Sequence, residues 1–118
     1  MNLFGSFLRI QNQLRVFHWQ SDTYAQHKAL GKTYEEFDGL IDQFVEVAMG
    51  KYGKRNNDII FNIEIINNIN QLDTFLKDTL QFLKDITQHL EEDDTDLLNI
   101  RDEMLALFHR LAYLLTLT

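Results

Sequence analysis

Two histidines, His18 and His27, stand nine residues apart, and a ladder of carboxylates, Asp38, Asp42 and Glu46, follows at steps of four. Imidazole nitrogens and carboxylate oxygens are the donors that hold divalent metals where no thiolate is available, and the chain has no cysteine. Acids four apart on a helix repel one another, by about 0.2–0.5 kcal/mol per pair, unless a cation lies among them. A plainer alternative stands beside this one: a solvated acidic face, and two histidines that are packed or turned to solvent.

The elements that must carry these residues read as helices. Leu3, Phe7, Ile10, Leu14 and Phe17 recur at alternating spacings of four and three, the period of a helix of about five turns. Leu30, Tyr34, Phe37, Ile41, Phe44 and Ala48 repeat the pattern, and Ser21, Asp22 and Thr23 between the two stripes are natural helix caps, so the pair forms a hairpin. Gly50 and Gly53 mark its end. A third stripe (Leu72, Phe75, Leu76, Leu83, Ile86, Leu90) and a fourth (Leu97, Ile100, Met104, Leu107, Phe108, Leu111, Leu115) follow, separated by the turn-forming "EEDDTD". Residues 58–71, "DIIFNIEIINNINQ", are rich in β-branched and Asn residues and fit a short helix, a connector or a strand-like piece equally. With no proline, 45% hydrophobic residues and 118 residues in all, the expectation is one all-α domain spanning 1–118, an antiparallel four-helix bundle.

Helical rise then constrains the chemistry. His18 ends the first helix and His27 begins the second, whereas Asp42 lies fifteen residues beyond His27, about 22 Å along the axis. Histidines and acids of one hairpin cannot share an ion. If a second hairpin packs antiparallel across a two-fold axis, the partner's Asp42 and Glu46 come beside His18 and His27, and symmetry makes two such sites. Metal binding at these residues therefore requires a homodimer.

Other signals carry less. A formal charge of −7 repels phosphate backbones and argues against nucleic acid as a partner, and "KYGKR" (Lys51–Arg55) reads as a solvated turn. "GKT" at Gly31–Thr33 has Gln26 where a Walker A glycine belongs, and "DDTD" at Asp93–Asp96 lacks the glycine and glutamate of a calcium loop. His89 and His109 have no Glu-x-x-His partner. No apolar run approaches the roughly 18 residues of a membrane span, and no basic leader precedes one, so a soluble, cytoplasmic protein is expected.

The stretch "FHWQSDTYAQHKALGKTYEEFDGLIDQFVE" (Phe17–Glu46) resembles the signature of the Dps proteins, the mini-ferritins of the ferritin-like superfamily. His18-Trp19, His27, the Tyr34-Glu35-Glu36 patch and the Asp42/Glu46 pair carry the resemblance. It implies a ferritin-like bundle in which His18, His27, Asp42 and Glu46 ligate iron across a dimer interface. It also implies oxidation of Fe(II), usually by hydrogen peroxide, with the ferric product stored in a hollow dodecamer. Asp38 and Glu35 are further candidate donors, the latter in place of the acid that the family carries where Gly31 stands. The link between the histidines is about three residues shorter than the family's, and no Lys-rich DNA-binding tail is present. Zinc suits the same donor set as an alternative to iron. From a different class of function, a non-catalytic bundle that keeps the fold for assembly or partner binding fits Gly31 and the short link.

Overall fold

The computed structural model describes residues 2–54, 59, 62 and 64–118. Four α-helices make up the bundle: α1 (Leu3–Trp19), α2 (Tyr24–Tyr52), α3 (Leu72–Asp85) and α4 (Thr95–Leu115), with 3₁₀ turns at Ile69–Gln71 and Ile86–His89. No strand occurs among the described residues.

The expected stripes are what the helices bury. Phe7, Ile10, Leu14 and Phe17 of α1 pack on Leu30, Phe37, Ile41, Phe44 and Ala48 of α2, and Leu72, Phe75, Leu76 and Leu83 of α3 meet Leu97, Met104, Phe108 and Leu111 of α4 in one core. Burying a leucine or phenylalanine contributes about 1.5–3 kcal/mol, far more than helix propensity can oppose. That explains why α2 runs on for 29 residues through Gly31, Gly39 and Gly50. Edge-to-face phenylalanines join all four helices: Phe82 meets Phe7 at 5.9 Å, Phe7 meets Phe37 at 6.3 Å and Phe44 at 5.1 Å, and Phe37 meets Phe108 at 5.0 Å. Phe17 and Phe75 make a further pair at 5.3 Å.

The boundaries have local causes. Thr23 caps α2 by accepting the Gln26 N–H at 3.1 Å, and Gln26 returns a bond to the Asp22 N–H, a reciprocal capping box shifted by one residue. Gly53, at φ 92°, ends α2 in a conformation that a side chain would resist, while Gly50 lies inside the helix. The third stripe was expected to stay helical to Leu90. Instead α3 ends at Asp85 and tightens into the 3₁₀ turn, where the Arg101 guanidinium adds bonds to the carbonyls of Leu83 and Lys84 and to the Thr87 hydroxyl.

The Asn- and Ile-rich segment is held from α1. Gln13, buried, donates to the Ile66 carbonyl at 3.0 Å and accepts the Ile66 N–H at 2.8 Å, as a strand neighbour would. Residues 55–58, 60, 61 and 63, which include part of the 58–71 segment, lie outside the described residues.

Candidate functional site

The turn between α1 and α2 brings His18 and His27 together. Their rings stack at 3.8 Å between centroids and 20° between planes. His18 Nδ1 donates to the His27 carbonyl at 2.7 Å, and His27 Nδ1 donates to the His18 carbonyl at 2.9 Å. A carbonyl only accepts, so both Nδ1 atoms carry hydrogen, and in the neutral ring each Nε2 then keeps its lone pair. Holding one ring nitrogen on a backbone carbonyl is how proteins fix the tautomer of a histidine that ligates through the other. Among the described residues neither Nε2 has a hydrogen-bond partner. Two reciprocal bonds thus close the link between the helices, and the one to His18 also satisfies a carbonyl at the end of α1.

Gly31 has a definite reason. A Cβ placed there would lie 2.7 Å from His18 Cε1 and 2.9 Å from Nδ1, so the imidazole rests against bare backbone about two turns into α2. An acid at 31 and His18 in this position exclude one another. Glycine here makes room for the ring, a role that its place in the sequence does not reveal.

Further along the hairpin, Arg15 stacks over the Tyr34 ring at 4.5 Å and donates to its hydroxyl. Gln11, buried on α1, donates to the Tyr34 carbonyl at 3.1 Å and more weakly to Asp38 Oδ1 at 3.4 Å. Asp38 is thereby engaged inside the hairpin. Glu35, Asp42 and Glu46 are exposed on α2, with no ion pair among the described residues. Among those residues no three His, Cys, Asp or Glu side chains cluster closely enough to hold a metal ion. The structure brings the histidines together and, within one chain, leaves the acids apart from them.

A second polar cluster closes the opposite end of the bundle, and it contains residues read as turn and cap. Asp94 is 1% exposed; its Oδ1 takes Lys51 Nζ at 2.6 Å and the Tyr52 hydroxyl, and its Oδ2 takes the Glu91 N–H at 2.8 Å. Lys51 also reaches Asp96 at 3.0 Å. The lysine, then the tyrosine hydroxyl, hold the Asp94 carboxyl down at about 2, and the same carboxylate raises Lys51 and Tyr52 above their ordinary values. Lys51, expected in a solvated turn, is instead the tie between the end of α2 and the start of α4. His89 and His109 are exposed.

Fold and polar groups define the chain as an all-helical bundle of four helices whose first hairpin is locked by paired histidines. Residues 18–115, a span that includes His18, His27, Asp42 and Glu46, match the family described as "Family of unknown function (DUF5856)", and the chain belongs to that family. No curated protein and no solved structure matches it.

Proposed function

We propose that the protein is a ferritin-like, Dps-like metal-binding bundle that oxidises and sequesters Fe(II) at sites shared between the two chains of a homodimer. The observation that carries this reading is the histidine pair, each Nδ1 bonded to a carbonyl and each Nε2 left as a donor. Two supports are independent of it. Phe7 near the start of α1 meets Phe82 near the end of α3, Phe17 meets Phe75, and the end of α2 is tied to the start of α4. These contacts fit α2 and α3 running together against α1 and α4, the ferritin-like order with its long link between the second and third helices. Charge is the other support. Helix α1 has Arg9 and Arg15 and no acid, whereas residues 35–46 of α2 hold Glu35, Glu36, Asp38, Asp42 and Glu46 and no cation. Antiparallel pairing of two hairpins lays basic strip on acidic strip.

The donor chemistry fits iron: two neutral imidazoles from one chain with the partner's Asp42 and Glu46 tolerate both Fe(II) and Fe(III) and leave positions for an oxidant. Peroxide takes two electrons, one from each of two Fe(II), and two protons, leaving water and ferric product. His18 and His27 orient the substrate ion through rigidly held rings, and the carboxylates offset its charge. Exposed Trp19 and Tyr24 flank the histidines and offer apolar area to a second chain.

The test is stopped-flow mixing of Fe(II)-loaded protein with peroxide while ferric absorbance is followed. Loss of rate by about tenfold or more is expected in both His18→Ala and Asp42→Ala, which corresponds to removing one ligand interaction. Wild-type rates in both variants would sink the reading. One observation favours the second reading, a non-catalytic bundle used for assembly: Gly31 packs against His18 where the resemblance places an acid. A purified dimer that takes up neither Fe(II) nor Co(II) would decide for it.

A further inference from the structure

The end of the bundle far from the histidines holds a cleft of about 420 Å³ that the proposed iron chemistry does not use. Phe4 of α1 lies fourteen residues from His18, about 21 Å along the helix, so the two places are separate. The floor is apolar and already part of the core: Phe4, Phe44, Ala48 and Leu97 line it, each almost wholly buried. One wall is polar, formed by Tyr52, His89, Glu91 and Asp94. That combination, an apolar body with a few convergent polar groups at pocket-like volume, is the common make-up of a small-molecule site.

The polar wall selects the head group. Asp94 is fixed by Lys51, Tyr52 and the Glu91 N–H, so it cannot turn away, and Lys51 offsets only part of the charge around it. Glu91, Glu92, Asp93, Asp94 and Asp96 crowd the same turn. Exposed Glu91 has no ion pair among the described residues. An anionic head would meet like charge at this rim; an ammonium would meet carboxylates, the Tyr52 hydroxyl and the His89 imidazole, which accepts through one ring nitrogen.

We propose that this cleft binds a small amphipathic amine, its alkyl or aryl body on Phe4, Phe44 and Leu97 and its ammonium at Glu91 beside the fixed Asp94. The proposal stands apart from the iron reading, since neither His18 nor His27 enters it.

Three probes of equal chain length decide it: octylammonium, octanol and octanoate, each titrated into the ¹⁵N-labelled protein while amide shifts are followed. Octylammonium is expected to saturate at millimolar concentration or below, with shifts centred on Ala48, Glu91 and Leu97, and to bind about tenfold tighter than octanol and more so than octanoate. Glu91→Gln, an exposed change that leaves the core alone, is expected to erase most of the preference for the amine over octanol. Ala48→Phe, checked for folding by circular dichroism, is expected to abolish binding of all three. Shifts scattered over the acidic surface, equal affinity for the three probes, or a preference unchanged in Glu91→Gln would each overturn the proposal.

Discussion

At the scale of single residues, the most informative position is Gly31, because its neighbour reverses the usual arithmetic of a helical glycine. Replacing glycine by alanine in a helix normally stabilises by about 0.5–1 kcal/mol. Here the new methyl would fall 2.7 Å from His18 Cε1, and the ring must leave its carbonyl to make room. Gly31→Ala is therefore expected to destabilise by about 1 kcal/mol in urea unfolding, the worth of the displaced hydrogen bond. The same change made in His18→Ala should be stabilising by the ordinary alanine gain. A double-mutant cycle showing no change of sign would refute the steric explanation.

Asp94 makes a separate residue-scale prediction. Its carboxyl lies below the usual carboxylate value, at about 2, so the stability it contributes is complete above about pH 4 and is lost as pH falls toward 2. Asp94→Asn should lower the melting temperature at neutral pH by about 5 °C and flatten the acid limb between pH 4 and 2, read by thermal melts across that range. Little of this was legible in advance. Spacing identified His18 and His27 as neighbours across a turn, but stacking and reciprocal bonds depend on rotamers that spacing does not encode. Asp94 sits in an acidic run that reads as surface, and only the end of α2 folding onto it makes it a buried partner.

At the scale of elements, the apolar stripes were legible almost residue by residue because each helix buries one face against the others. Boundaries were less so. The end of α3 depends on Arg101, sixteen residues beyond Asp85, and the course of the chain near Ile66 depends on Gln13, fifty-three residues before it. Such contacts leave no periodic trace in either partner. Gln13→Leu tests the second: it preserves bulk on α1 while leaving the Ile66 N–H and carbonyl without their partner. Stability should fall by about 1–2 kcal/mol, and the Ile66 amide should exchange far faster in hydrogen-exchange measurements, with amides of α4 changed only by the global loss.

At the scale of the whole molecule, a basic α1 strip and an acidic α2 strip lie side by side on one hairpin, and the proposed dimer depends on them. Sedimentation equilibrium should give about twice the chain mass of 14.0 kDa or a higher multiple. Asp42→Lys with Glu46→Lys is expected to shift the population to monomer, while helical content stays the same because both positions are exposed. A wild-type protein that remains monomeric at about 100 μM would rule out the shared site, since affinities weaker than that leave few dimers to work.

The phenylalanine chain from Phe82 through Phe7 and Phe37 to Phe108 has its own consequence for how the molecule comes apart. Because one ring from every helix stands in the same edge-to-face series, no helix can peel away without separating a ring pair. Each ring also shields the protons held over its face, so methyl and aromatic resonances of this core should be displaced upfield and should collapse to coil positions together. A single midpoint shared by those lines, whichever helix they report on, is the signature of a bundle that melts as one body.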